Sequence, residues 1–295
     1  MTMSSEPRPS AFYTPLRYPG GKGKLVPYIK KIFEENDLVD GAYVEPYAGG
    51  AAVAMELLLH EYVQKVYIND ISDGVASFWR SVLDDTDALC KLISSAKMTM
   101  KEWNRQRAIQ RAPEDHDDLT LGFSTFFLNR TNRSGILGAG VIGGKEQLGK
   151  WKLDARFNKP ELVRRIEAIA RIGSRIEFSQ LDAIEFIDSI APRLPAKSLI
   201  YLDPPYYVKG SDLYLHHYEH DDHVAIAKRV ARLKTKNWIV SYDNAEPIEA
   251  MYSKFRKIVY GLSYSAQDRY KGSEVMFFSD RLNIPKAVRP MHLVA

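Results

Sequence analysis

Asp203, Pro204, Pro205 and Tyr206 follow directly on Ser198-Leu-Ile-Tyr-Leu202, an apolar run that reads as a buried strand. Proline fixes φ near roughly −65° and holds the residue before it extended. Asp203 and Pro204 are both so restrained, which aims the Asp203 carboxylate and the Pro204 carbonyl outward. They point from the strand end at which open α/β sheets bind ligands. Neither proline has an N–H, so the turn offers acceptors, and the flat ring of Tyr206 sits beside them. An acceptor pair next to an aromatic platform suits a planar base bearing an exocyclic amino group. By itself the tetrapeptide is also compatible with a plain proline turn.

Three further segments carry residue types suited to a nucleotide-like ligand: Pro19-Gly-Gly-Lys-Gly-Lys24, Glu45-Pro-Tyr-Ala-Gly-Gly50 and Asn69-Asp70. Other patterns carry less. Gly138-Ala-Gly-Val-Ile-Gly143 satisfies G-x-G-x-x-G, but no strand plainly enters it and no helix plainly leaves it. Gly144-Lys145 lacks the upstream glycine and the following hydroxyl residue of a phosphate loop. His216, His217, His220 and His223 lie beside Asp221 and Asp222, which read better as helix caps than as partners in a metal site, and no metal is expected. The single cysteine, Cys90, excludes an internal disulfide and the common structural zinc sites.

The elements that must position these residues follow an α/β rhythm. Ala42–Tyr47, Lys65–Asp70, Ser198–Asp203 and Trp238–Tyr242 read as strands, with helices over 51–61 and 222–233, which predicts a sheet of parallel neighbours. Arg256–Ser265 and Glu274–Ser279 have no helix between them and predict an antiparallel hairpin at the sheet edge. The stretch 77–171 breaks the rhythm with helical segments (78–83, 87–95, 99–110, 159–172) and a Gly-rich loop over 135–149. It is expected to be an inserted, mostly helical domain in an α/β core of residues 12–76 and 172–295, preceded by a disordered tail, 1–11.

The four motifs, in this order around an insertion, resemble the alpha group of S-adenosylmethionine-dependent DNA adenine N6-methyltransferases, the Dam-like family, over roughly Leu16–Ser279. The resemblance implies a Rossmann-like methyltransferase sheet and methyl transfer to N6 of a flipped adenine in double-stranded DNA. Asp203, Pro204, Pro205 and Tyr206 would form the catalytic turn. S-adenosylmethionine would be held by Tyr18 and Lys22, by the turn containing Glu45 and Gly49, by Asp70 at the ribose, by Asp182 at the adenine, and by Asp203. The family's recognition hairpin corresponds to Arg130-Thr131-Asn132-Arg133, where Thr131 replaces an aromatic, so neither a stacking contact there nor a particular target sequence is implied. Arg130, Asn132, Arg133 and Lys152 are the expected DNA contacts.

Composition is ordinary for a soluble globular protein. The 295 residues are 45% hydrophobic, and no apolar run approaches the roughly 18 residues of a membrane span. A polar N-terminus leads to the expectation of a cytoplasmic protein, acting as a monomer or weak homodimer. Net charge is only +4, yet residues 119–171 hold ten Lys/Arg against four Asp/Glu, the asymmetry either of a module that contacts phosphates or of a solvated basic face. N4-cytosine methylation, an RNA substrate and a DNA-binding module without turnover remain as alternatives. C5-cytosine chemistry needs a nucleophilic cysteine, and Cys90 lies in a helical stretch away from any proline turn.

Overall fold

The computed structural model describes residues 13–17, 22–208, 218–262 and 273–294. Its strands are β1 (Gly41–Glu45), β2 (Val63–Asn69), β3 (Ile176–Ser179), β4 (Ser198–Leu202), β5 (Asn237–Asp243), β6 (Arg256–Leu262), β7 (Glu274–Phe278) and β8 (Met291–Leu293). They form one sheet in the order β3-β2-β1-β4-β5-β7-β6-β8. The first five are mutually parallel, and β7 runs antiparallel between β5 and β6. The chain leaves β1 toward β2 and β3, then returns to place β4 on the other side of β1. The crevice beyond the ends of β1 and β4 is therefore the topological switch point, where such sheets bind ligands. The expected hairpin is present, but it is not outermost, because β8 pairs with β6 along the free edge.

Strands β1 and β4 are buried along their whole length, as parallel strands covered on both faces must be. Alternate residues enter different cores. Tyr43, Leu199, Tyr201, Ile239 and Met276 belong to one hydrophobic cluster, while Val44, Ile200, Leu202, Val240 and Phe277 belong to the other. This period of two also fixes which polar side chains share a face. Glu45 continues the parity of Tyr43, Asp203 that of Tyr201, Ser241 that of Ile239, and Glu274 that of Met276. All four emerge on the first cluster's side.

That side is covered by α1 (Val26–Glu35), α2 (Ala52–Leu59), α3 (Asp73–Asp84), α4 (Thr86–Ser95), α5 (Met100–Ile109), α6 (Asp118–Thr131) and α7 (Lys159–Ala170). The other side packs against α8 (Ala183–Ile190), α9 (His220–Ala231) and α10 (Glu246–Met251). Helix α6 is buried from Leu121 to Asn129 and forms the centre of the helical layer, with Phe126 stacked on Phe78 of α3. The expected start of the insertion at 77 falls inside α3, and Phe78, Trp79, Phe126 and Ile166 share one hydrophobic cluster with Leu57 and Leu199. The helices are thus an extension of the sheet's own core. Helix α9 is capped by Glu219, not by the expected Asp221 or Asp222. Asp222 instead returns the bond, its carboxylate accepting from Glu219 N at 2.8 Å.

Candidate active site

Register brings the catalytic turn to its partners. Leu202 lies opposite Val240, so Asp203 leaves β4 beside Ser241, whose Oγ donates to Asp203 Oδ1 at 2.7 Å. Ser241 is oriented in turn by the Tyr201 hydroxyl, 2.8 Å away. Lys22, on the short 3-10 turn that opens α1, projects its ammonium into the same space. Its Nζ lies 3.3 Å from Asp203 Oδ1 and 2.8 Å from Glu274 Oε2, and it donates to the Tyr206 hydroxyl at 2.9 Å. Tyr260, opposite Glu274 across β6 and β7, donates to Glu274 Oε2 at 2.7 Å, and Tyr206 donates to Oε1 at 3.2 Å.

One buried cation is therefore shared by two carboxylates and a phenol. Burial works against the Lys22 charge, but Asp203 and Glu274 outweigh it and hold the ammonium well above its ordinary range. Burial raises the Asp203 carboxyl; Lys22 opposes this, Glu274 adds to it, and the outcome is a pKa of about 6. For Glu274 burial also disfavours charge, yet Lys22 and the hydrogen bonds prevail and the net shift is downward.

Glu45 ends β1 on the same face. Tyr43 donates to its Oε1 at 2.9 Å, while Oε2 is buried and has no hydrogen-bond partner among the described residues. Burial raises this carboxyl to about 8. Past it the backbone turns through Gly49 and Ala51, both at positive φ (48° and 47°). Gly49 N donates to Asp70 Oδ2 at 2.8 Å, and Trp79 Nε1 donates to Gly49 O at 2.9 Å. Asn69 ties this turn to the end of β3 through Pro46 O and both backbone groups of Leu181. Asp182 is close to that junction, but one oxygen is already used, since Oδ1 caps α8 at Ile184 N.

The structure thus gathers Lys22, Asp203 and Tyr206 into one hydrogen-bonded cluster, and the Gly49 turn onto Asp70. Tyr18 lies outside the described residues, as do Pro19 to Gly21, His216 and His217. Of the other histidines, His223 is buried with Nδ1 3.0 Å from the Tyr242 hydroxyl, and His220 Nδ1 is 3.0 Å from that of Tyr207.

Four participants escape motif reading: Glu274, Ser241, Tyr260 and Asp243. The Asp243 carboxylate accepts from Tyr207 N (2.8 Å) and Val208 N (2.9 Å), clamping the chain just past the catalytic turn. Their only sequence signal is a polar side chain at the end of, or inside, an otherwise apolar strand.

The expected DNA contacts divide. Arg133 and Lys152 are exposed. Arg130 is partly buried, donates to Arg156 O (2.9 Å) and Pro15 O (3.4 Å), and is lowered to about 9 by burial and then by Arg165, Arg17 and Arg156. Asn132 is a correction. It is fully buried, its Oδ1 accepts from Trp103 Nε1 at 2.7 Å, and its Nδ2 donates to Ile136 O and Leu137 O. With both ends of the amide engaged, it shapes the loop instead of reaching a base.

Type II methyltransferase M.MjaIII of Methanocaldococcus jannaschii is 25% identical over 206 residues, 65% of this chain and 68% of that protein. Among solved structures, the rRNA methyltransferase aviRa from Streptomyces viridochromogenes aligns over 86% of this chain and 84% of its own. Its TM-score is 0.36 at 10% identity, too distant to carry an argument. The D12 class N6 adenine-specific DNA methyltransferases match residues 18–265, from the Lys22 motif through Glu45 and Asp203 to just past β6, and the chain belongs to that family.

Proposed function

We propose that this site-specific adenine N6 DNA methyltransferase takes its substrate base flipped out of double-stranded DNA, with Asp203, Pro204 and Tyr206 holding the adenine. The observation that carries the reading is the asymmetry of Asp203. Ser241 and Lys22 both engage Oδ1, and among the described residues none donates to Oδ2. An acceptor on a carboxylate that is 22% exposed is thus left at the turn it shares with the Pro204 carbonyl. The two acceptors match the two hydrogens of an exocyclic amine.

The residues at the switch point suit S-adenosylmethionine, which supplies an electrophilic methyl group on a cationic sulfur when bound. Glu45 offers a buried oxygen without a donor, and Asp70 and Asp203 add negative charge at neighbouring strand ends. Glu45, Gly49, Asp70, Lys22, Tyr18 and Asp182 are the proposed holders. Asp203 and the Pro204 carbonyl accept the N6 hydrogens and draw the nitrogen toward tetrahedral geometry, freeing a lone pair otherwise delocalised into the purine. As the N–C bond forms and the C–S bond breaks, N6 carries a surplus proton, which departs toward the Asp203 carboxylate. Positioning of this kind contributes ~7–11 kcal/mol. Flipping costs a few kcal/mol, and stacking on Tyr206 offsets ~1–3 kcal/mol of it.

The helical region 77–171 is the proposed recognition module, with Arg130, Arg133 and Lys152 toward phosphate. A monomer or weak homodimer suffices, because one chain supplies the whole cluster. The relative named as a type II methyltransferase supports a restriction-modification setting, and a DNA substrate supports a cytoplasmic location. No described helix is long and apolar enough to cross a membrane.

Methylation-sensitive sequencing of DNA from cells expressing the chain tests the reading. Wild type is expected to leave N6-methyladenine at one short sequence, and Asp203→Ala less than a tenth of wild-type turnover on that sequence in vitro. Turnover above that level removes Asp203 from the chemistry.

A further inference from the structure

Thr131, which stands where an aromatic was expected in the recognition region, is fully buried and donates to Phe127 O, so it presents nothing to DNA. The same region nevertheless exposes apolar surface elsewhere. Leu148 is 85% exposed and Trp151 66% exposed, on the loop of residues 142–153. Singly exposed apolar residues are ordinary. This pair differs because the loop that carries it is braced. Gln147 adopts a left-handed φ of 51° and its side chain spans the loop, donating to Ile142 O (2.8 Å) and Gly144 O (2.7 Å) and accepting from Leu153 N (2.9 Å). Lys152 Nζ donates to Gln147 O, and Gly149 N to Gly143 O at 3.0 Å. Gly143, at φ 88°, passes so close to the Trp151 carbonyl that a Cβ would lie 2.7 Å from it.

The loop is also tied to the catalytic side of the molecule. Ile142 N donates to Thr131 O at 2.9 Å and Arg133 N to Gly140 O at 3.0 Å. Asn129 then joins the end of α6 to the backbone of Arg17, through Arg17 N (2.7 Å) and Arg17 O (2.6 Å). Arg17 precedes Lys22 by five residues, a span of at most about 18 Å.

We propose that Leu148 and Trp151 form a wedge that inserts against the base stack of duplex DNA, with the lysines around it seated on phosphates. Charge complementarity selects this occupant: the exposed Lys145, Lys150, Lys152 and Arg156 flank the pair in sequence against Glu146 and Asp154, and Lys150 Nζ lies 5.7 Å from the Trp151 ring centroid. Apolar side chains pushed between base steps unstack and kink the duplex, which lowers the cost of extruding a base nearby. The proposal rests on the DNA-methyltransferase reading and adds a contact that the catalytic turn does not supply.

Tryptophan fluorescence of the full chain tests it directly. Trp79, Trp103 and Trp238 are at most 2% exposed, so collisional quenching by acrylamide reports on Trp151. A DNA fragment that the chain methylates is expected to shield that emission at saturation. Trp151→Ala is expected to weaken affinity for the fragment by roughly 5- to 150-fold, the range for one lost base–aromatic stack. Trp151→Phe should keep most of the affinity, and the salt dependence should be unchanged in both. Quenching that is unaltered in the saturated complex overturns the wedge while leaving the methyltransferase reading intact. Shielding without DNA as protein concentration rises would assign the surface to a second copy of the chain, and shielding by anionic phospholipid vesicles would assign it to a lipid surface. Either result overturns the proposal. Absence of both methylation and DNA binding in wild type removes the reading beneath it.

Discussion

Glu274→Gln isolates what the second carboxylate does to the first. Lys22 Nζ lies 3.3 Å from Asp203 Oδ1 and 2.8 Å from Glu274 Oε2, so the two acidic oxygens are no more than ~6 Å apart. At that separation and an effective dielectric constant of about 20, the repulsion is about 3 kcal/mol, or roughly two pH units on the Asp203 carboxyl. Asp203 is held at about 6 by burial and, in part, by Glu274. The carboxylate is the competent acceptor, so wild-type kcat/KM is expected to fall as pH drops through about 6. Glutamine keeps the shape and removes the charge, which moves this acid limb toward about 4. Lys22 then pairs with Asp203 alone, so the variant is also less stable, toward the lower end of the ~3–5 kcal/mol for breaking a buried pair. The assay is the pH profile of kcat/KM for methyl transfer to a duplex, with thermal melting confirming a folded variant. An acid limb that stays where wild type has it, in a folded Glu274→Gln protein, refutes the electrostatic coupling.

Tyr206 does more than offer a ring, because its hydroxyl links Lys22 to Glu274. Tyr206→Phe is expected to cost about 1.5 kcal/mol, roughly tenfold in kcat/KM. Tyr206→Ala should lose a further ~1–3 kcal/mol with the platform, whereas Phe at wild-type activity would leave the ring alone as the functional part. Glu45 makes a pH-dependent prediction in the absence of cofactor. Its carboxyl rises from an ordinary 4.5 to about 8, so the folded state keeps its proton longer than the unfolded chain. Stability is fully present below about 4.5 and is lost as pH climbs through about 8, by up to about 5 kcal/mol. Glu45→Gln should therefore melt higher relative to wild type at pH 9 than at pH 5, and an equal difference at both would refute the buried-charge account.

The parts of this protein legible in its sequence are those set by local rules. Continuous apolar runs and the α/β rhythm predict β1, β2, β4 and β5 to within a few residues, because a parallel strand covered on both faces has to be apolar throughout. Proline geometry predicts an outward Asp203 at a strand end, and the ordered motifs point to the chemistry. What depends on strand order and long-range packing was not legible. Glu274 follows Lys22 by 252 positions and meets it only because β7 inserts between β5 and β6 in register with Tyr260 and Asp243. The fate of the basic stretch was equally hidden. Asn132 and Thr131 look like surface residues beside two arginines, yet the end of α6 buries both, while Trp151, unremarked in a polar run, is held out by the Gln147 brace. Sequence distance carries no energy, so a residue's type and neighbours indicate what it can do. Only the tertiary structure decides which groups share its solvent, its charge and its reach.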